Sequence, residues 1–175
     1  MKHPIKTLED FKRETKNLLG ILADHINDDC YPRNFDGDVL TFDKYIPVTF
    51  GYPEGDATPC IEMNGGLFNF VISERGTEYQ RIEGNADDIL FVLFEGITSE
   101  LAGGFEVRNR IKGQDFRRVR FSKQIELLGL LHAEWAKLGL KVHQKILENY
   151  PFEDKEPPGG NAPPPGKSSA NDNQE

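Results

Sequence analysis

Apolar side chains near the start of the chain recur at intervals of three and four residues, which is the spacing of one face of an α-helix. The positions that share this face are Leu8, Phe11, Thr15, Leu18 and Leu22. Thr7 with Asp10 three residues later is the acidic form of a capping box, and Asn27 opens a turn-forming run. The pattern predicts an amphipathic helix over residues 8–26.

Residues 30–59 are rich in Asp, Gly, Pro and aromatic side chains and contain only short β-favouring pieces, such as 45–50. Three β-favouring runs follow, separated by the turn pairs Gly65-Gly66 and Arg75-Gly76. The runs cover residues 60–64, 67–74 and 77–83. They predict an antiparallel meander. In its middle strand one face carries Phe68, Phe70 and Ile72 and the other carries Leu67, Asn69, Val71 and Ser73, so one face is expected to pack on helices and the other to be partly wet.

The second half of the chain has a helical pattern. Asn85 with Asp88 begins a helix whose residues 89–94 are apolar almost all round, which predicts a buried central helix that loosens at Gly103-Gly104. Two further helical patterns follow, with a break near His132 and an end at Pro151. We therefore expect an α+β fold with an N-terminal helix, a small antiparallel sheet and a C-terminal bundle of three to four helices packed on it.

The last residues differ in composition from the rest. Residues 154–175 are rich in Pro and Gly and almost free of apolar side chains, which predicts a disordered tail with polyproline character. Residues 1–153 are then expected to form a single domain of ordinary size.

Charge is distributed unevenly along the chain. The formal net charge is -8, yet residues 108–123 hold seven basic side chains and one acidic one. The basic side chains of this segment, called here the basic island, are Arg108, Arg110, Lys112, Arg117, Arg118, Arg120 and Lys123. One interpretation is a phosphate or nucleic-acid site, because arginine forks match phosphate oxygens. The other is internal pairing with Glu95, Glu100, Glu106 or Asp115.

No motif of catalysis, metal binding or cofactor binding stands out. The two cysteines, Cys30 and Cys60, lack a metal-ligand spacing, and the four histidines are scattered. Phosphate-binding glycine loops and hydrolase motifs are absent. Asp36 and Asp38 flank a glycine and are the open candidates for a cation, although a simple turn explains them. We expect no catalytic residue, metal or cofactor, and therefore no enzyme.

The start of the chain has no secretory signal pattern, and no apolar run is long enough for a membrane helix. These features predict a cytoplasmic protein with free thiols and no membrane partner.

Residues 87–135 combine an acidic helix start, the apolar run ILFVLFEGIT and a spaced series of Arg, Gln, Phe and Leu that ends at Trp135. This segment resembles the immunity protein 63 family of bacterial polymorphic toxin systems. The motif residues that carry the resemblance are Glu95, Thr98, Glu106, Arg110, Gln114, Asp115, Arg117, Arg118, Phe121, Gln124, Leu127, Leu128 and Trp135.

The resemblance implies a protein that binds and neutralises a cognate toxin domain in the cytoplasm. An acidic chain suits a basic toxin, because opposite charges speed encounter and favour the right partner. Since different family members bind different toxins, the motif residues that they share are expected to serve the scaffold. The scaffold set is Glu95, Glu106, Arg110, Gln114, Asp115, Arg117, Arg118, Phe121, Gln124 and Trp135.

The variable binding surface is then expected in the acidic, loop-rich region, where carboxylates would surround aromatic anchors. The predicted toxin-binding residues are Asp28, Asp29, Tyr31, Asp36, Asp38, Asp43, Tyr45 and Tyr52. Two alternatives stay open. One is a nucleic-acid or phosphate-ligand binding regulator that uses the basic island, and the other is a small enzyme whose site is assembled from distant residues.

Overall fold

The computed structural model describes residues 4–26, 48–52 and 58–155 of the chain. The helices of this part are α1 (Leu8–His25), α2 (Ala86–Arg108), α3 (Phe116–Leu131) and α4 (Ala133–Asn149). The strands are β1 (Thr49–Phe50), β2 (Cys60–Asn64), β3 (Leu67–Glu74) and β4 (Thr77–Gly84). The α+β class is confirmed, and so is the order along the chain of an N-terminal helix, a sheet and C-terminal helices.

The strands form one sheet in the order β1-β2-β3-β4. The β2, β3 and β4 strands pair antiparallel as a meander, whereas β1 pairs parallel to β2 through Thr49 and Cys60. Glycines at 65 and 66 both have positive φ and make the turn between β2 and β3. The sheet is therefore mixed, with the predicted meander as its larger part.

Helices cover one face of the sheet in successive layers. Helix α1 lies against β2, and Phe11 contacts Phe68 with ring centroids 5.0 Å apart. Helix α2 packs on β3 and β4, α3 packs on α1 and α2, and α4 packs on α3. Phe94 at the centre of α2 is completely buried, as its nearly all-apolar surroundings in the sequence predict.

The expectation of a partly wet second face is wrong for the centre of β3, because Asn69 and Val71 are buried as well as Phe68 and Phe70. Glu62 on β2 is in register with Asn69, and Arg81 on β4 is in register with Val71. Arg81 Nη1 lies 3.0 Å from Glu62 Oε2, so this ion pair crosses β3 on the face of Asn69 and Val71. The pair helps to cover the centre of the face.

Helix α2 continues through Gly103 and Gly104 to Arg108, so the predicted loosening is wrong. A side chain at position 103 would lie 3.8 Å from the guanidinium of Arg120 on α3. That guanidinium donates to Ser99 Oγ on α2 at 2.8 Å. A Cβ at this distance would make only an ordinary van der Waals contact, so the polar link does not require a glycine, and the packing of α2 on α3 outweighs the low helix propensity of Gly103.

The break predicted near His132 is confirmed, since His132 ends α3 and caps α4. Its ring nitrogen Nδ1 accepts from the backbone N–H of Glu134 at 3.3 Å. About two turns further along α4, Gly139 faces Leu128 and Ile125 of α3, and a Cβ there would lie 2.7 Å from Leu128 Cδ1. The glycine thus lets α4 approach α3 closely.

Candidate interaction surfaces

Most of the predicted partner-binding residues lie outside the described part of the chain. These are Asp28, Asp29, Tyr31, Asp36, Asp38, Asp43 and Tyr45. Tyr52 is described, two residues beyond β1, and 83% of its surface is exposed. Its exposure is compatible with an aromatic contact to a partner, and the arrangement of the other seven stays a prediction.

The basic island lies at the end of α2, in the following loop and on the first turns of α3. Asp115 caps α3 and anchors the island, because its Oδ1 accepts from the backbone N–H of Arg117 at 2.9 Å. The side chain of Arg117 returns to the same carboxylate, with Nε 3.0 Å from Oδ1 and Nη2 2.6 Å from Oδ2. This forked pair is largely shielded from solvent, with the Arg117 side chain 17% exposed.

The forked pair also holds the chain that leaves α4. Arg117 Nη1 donates to the carbonyl oxygen of Tyr150 at 2.7 Å, and Nη2 donates to that of Pro151 at 2.7 Å. The backbone N–H of Glu153 donates to Asp115 Oδ2 at 2.8 Å. Residues 150–155, called here the C-terminal strap, are thereby bound to the start of α3.

Asp154 and Lys155 complete the strap. The Asp154 carboxylate accepts from Arg118 Nη2 at 2.7 Å and from the backbone N–H of Asp115 at 2.8 Å. The backbone N–H of Lys155 donates to the carbonyl oxygen of Gly113 at 2.8 Å. Gly113 has φ of +86°, a conformation that favours glycine, so the loop needs a glycine where the strap crosses it.

The strap pairs shift the ionisation of their carboxyl groups. The hydrogen bonds from Arg117, with those from the backbone of Glu153 and Arg117, hold the pKa of Asp115 far below its usual range. Arg118 similarly lowers the pKa of Asp154. Both groups are therefore carboxylates at neutral pH, and the strap is an ionic structure.

Other members of the island also have partners within the fold. Arg110 forms a forked pair with Glu106, which is 3% exposed, at 2.6 and 2.8 Å. Lys123 lies 2.8 Å from Glu126 Oε1 and over the ring of Phe105. Among the described residues, Lys112 has no ion pair. The carboxylate partners Glu106 and Asp115 were predicted, whereas Asp154 and Glu126 were not.

A buried polar network joins α2, α3 and α4. Gln124 Nε2 on α3 donates to the carbonyl oxygen of Glu95 at 3.0 Å and to its carboxylate at 3.1 Å. Gln124 Oε1 lies 2.9 Å from Nε2 of His143 on α4, which makes the ring nitrogen the donor. The ring of Phe121 stacks on that of His143 with centroids 3.9 Å apart. Burial, aided by the charge of Arg120, lowers the pKa of His143 and favours the neutral ring.

Two further motif residues differ in their surroundings. Trp135 is 2% exposed and stacks on Phe94 with centroids 5.9 Å apart. Gln114 is half-buried beside the strap, where its backbone N–H donates to the carbonyl oxygen of Ile111. Most side chains of the predicted scaffold set thus contact other parts of the same chain. That they serve the scaffold and do not contact a partner stays a prediction.

An open groove lies beside the strap. Its volume is about 1020 Å³. Three large apolar side chains line it, namely Ile111, Phe116 and Tyr150, and they are 54, 46 and 70% exposed. Lys112 and Lys155 also line it. We call this feature the strap groove.

The described part of the chain contains no cluster of three His, Cys, Asp or Glu side chains that could hold a metal ion. The Asp36 and Asp38 candidates lie outside it. Cys60 is buried, and burial raises the pKa of its thiol, which disfavours the nucleophilic thiolate. None of the helices that the structure describes has the length and apolar character needed to cross a membrane.

Two parts of the site were missed in the sequence. The strap pairs join residues 33 to 39 positions apart, through Asp154 and two backbone carbonyls, and no local period reports such contacts. The His143 network was also missed, although His143 follows Trp135 and Gly139 at intervals of four on the buried face of α4. That spacing was the signal that could have found it.

Comparison with known proteins finds a match to a protein family. The model of the family described as Immunity protein 63 matches residues 64–145, which confirms the resemblance over this segment. The match spans β3, β4, α2, α3 and most of α4, while α1 and the strap lie outside it. No curated protein and no solved structure matches the chain.

Proposed function

We propose that this chain, matched over its central segment by the immunity protein 63 family, binds and neutralises a cognate bacterial toxin domain in the cytoplasm. The family match is the observation that carries the proposal. A protein of this kind works by occupying its partner and needs no catalytic residue, and the buried, protonated thiol of Cys60 is compatible with that.

The internal pairing of the basic island supports this function over phosphate or nucleic-acid binding. Arg117 and Arg118 place their forks on Asp115 and Asp154 and on carbonyl oxygens of the strap. A phosphate would have to displace these carboxylates and leave the buried carboxylate of Asp115 without its side-chain donors. The forks therefore serve the fold better than a ligand.

The toxin is proposed to be basic and to be bound by the acidic region before β2. This part of the proposal rests on the chain's charge of -8 and on the composition of residues 28–52. Tyr52, exposed at 83%, is the member of the predicted surface whose position is described.

Growth rescue tests the function directly. The C-terminal domain encoded by the neighbouring open reading frame should arrest growth when expressed alone, and coexpression of this chain should restore growth. Purified together, the two proteins should form a stable complex. Arrest without rescue and without a complex would contradict the proposal.

Charge reversal tests the predicted surface. Asp36→Lys, Asp38→Lys and Asp43→Lys together should weaken binding of that domain well over tenfold in calorimetry and leave the melting temperature near that of the wild type. The matched control reverses three exposed carboxylates elsewhere, namely Asp24, Glu100 and Glu148, with the same change in net charge. Equal binding by both triple variants would place the toxin on another surface.

A further inference from the structure

The strap groove brings three exposed large apolar side chains together in one place. Phe116 is the first residue of α3 and Tyr150 follows the last residue of α4, so the two rings project from neighbouring helix ends beside Ile111. Exposed aromatic side chains clustered in a cavity are typical of interaction sites and are the usual anchors of interfaces.

The walls of the groove are held in place by the strap. Arg117 binds the carbonyl oxygens of Tyr150 and Pro151, and Asp115 binds the backbone N–H of Glu153. Phe152 packs under the guanidinium of Arg118, which lies 4.1 Å from the centre of its ring. A partner would therefore meet a preformed surface and would lose less entropy on binding.

The charges around the groove select the partner's chemistry. The basic side chains that line it are Arg110, Lys112, Arg117 and Lys155, and the acidic ones are Asp115 and Glu153. Since Arg117 is paired with Asp115 and Arg110 with Glu106, the positive charge available to a partner lies on Lys112 and Lys155. In a chain of net charge -8, this rim attracts carboxylates while the molecule as a whole repels them.

We propose that the strap groove binds one segment of the cognate toxin domain, in which apolar side chains are flanked by carboxylates. The inference rests on the proposed function and adds a second point of contact to it. The acidic region before β2 attracts the basic body of the toxin, while the groove accepts a segment of opposite charge. Two contacts of opposite sign fix the orientation of the bound toxin better than either contact alone.

The apolar anchors give the sharper test. Phe116→Ser with Tyr150→Ser should raise the dissociation constant for the toxin domain of the neighbouring open reading frame at least tenfold. The control is Leu140→Ser with Tyr79→Ser, whose side chains are 47 and 67% exposed against 46 and 70% for the test pair. Both double variants should keep the wild-type melting temperature, because all four side chains are exposed.

A charge test accompanies it. Lys112→Glu with Lys155→Glu should also weaken binding at least tenfold, whereas Lys6→Glu with Lys141→Glu, an equal change of charge at exposed positions elsewhere, should strengthen or preserve it. Equal binding by the test and control pairs would overturn the proposal that the groove binds the toxin, while leaving the proposed function intact. A wild-type chain that fails to bind the toxin domain would overturn both. Dimers of the wild-type chain that dissociate in the Phe116→Ser, Tyr150→Ser variant would assign the groove to a second copy instead.

Discussion

At the scale of residues, two neighbouring arginines make similar bonds in different surroundings. Arg117 and Arg118 each hold a carboxylate with a fork, but the side chain of Arg117 is 17% exposed and that of Arg118 is 40% exposed. Arg117 also supplies both donors to the carbonyls of Tyr150 and Pro151. Shielded ionic groups lose more when a partner is removed than exposed ones do.

Replacement of each arginine by methionine should show this difference. Arg117→Met leaves the Asp115 carboxylate and two carbonyl oxygens without their donors, so it should lower the urea midpoint of unfolding roughly twice as much as Arg118→Met. Circular dichroism at 222 nm against urea measures both midpoints. Equal decreases would mean that water reaches the Arg117 pair as freely as the Arg118 pair.

His143 gives the fold a pH dependence whose direction follows from its burial. Because its pKa in the folded protein is lowered from the ordinary value of about 6.5, the unfolded chain binds a proton first as the pH falls. The free energy of unfolding should therefore decrease from about pH 6.5 downward until the lowered pKa is reached. One proton gives a slope of at most about 1.4 kcal/mol per pH unit.

The variant His143→Asn isolates this contribution. It should be less stable than the wild type at pH 7, since the stack on Phe121 is lost. Its free energy of unfolding should vary less between pH 6.5 and about pH 5, as measured by urea unfolding at each pH. Parallel pH profiles for the two proteins would assign the dependence to other groups.

At the scale of elements, glycines inside helices have opposite roles that their sequence does not distinguish. A Cβ at Gly139 would meet Leu128 Cδ1 at 2.7 Å and Ile125 Cδ1 at 2.9 Å, whereas one at Gly96 in α2 would have no atom within 4 Å apart from its own helix and chain neighbours. Helix propensity favours alanine at both positions. At Gly139, packing against α3 opposes alanine.

Alanine substitutions should therefore have opposite effects. Gly96→Ala should stabilise the protein by about 0.5–1 kcal/mol through helix propensity. Gly139→Ala should destabilise it by about 1 kcal/mol or more, since overpacking of the α3–α4 contact exceeds the gain in propensity. Thermal unfolding of the two variants beside the wild type measures the difference. Stabilisation by Gly139→Ala would show that α4 moves away from α3 at little cost.

Elements with strong local signals were predictable, and those set by tertiary contacts were not. The meander followed from the turns at residues 65–66 and 75–76, and the α3–α4 break followed from the pattern around His132. Near Gly103 and Asn69 the structure brings in side chains from other elements, since Arg120 on α3 donates to Ser99 on α2 and Arg81 on β4 pairs with Glu62 on β2. The local periodicity of a segment gives no information about side chains that reach it from other elements. The strap groove was likewise not predicted, because it forms from two loops far apart in sequence.

At the scale of the whole molecule, charge is divided between a neutralised basic island and an acidic remainder. Much of the island is paired within the fold, so the net charge of -8 dominates the field at a distance. Such a field steers a basic partner during diffusional encounter and is screened by salt.

Association with a basic toxin domain should therefore depend on ionic strength. The association rate constant should fall about tenfold or more between roughly 0.05 and 0.5 M NaCl, while the dissociation rate constant should change much less. Stopped-flow or surface-based kinetics would measure both. An association rate constant independent of salt would exclude charge steering.

The C-terminal strap also bears on how the protein is made. The cap of α3 at Asp115 receives a backbone donor from Glu153, and Asp115 itself donates to Asp154, some forty residues later in the chain. A ribosome must therefore translate through Lys155 before these contacts can close. A nascent chain that ends before Tyr150 also lacks one wall of the groove. Truncated products of translation would carry the family-matched segment without a complete groove.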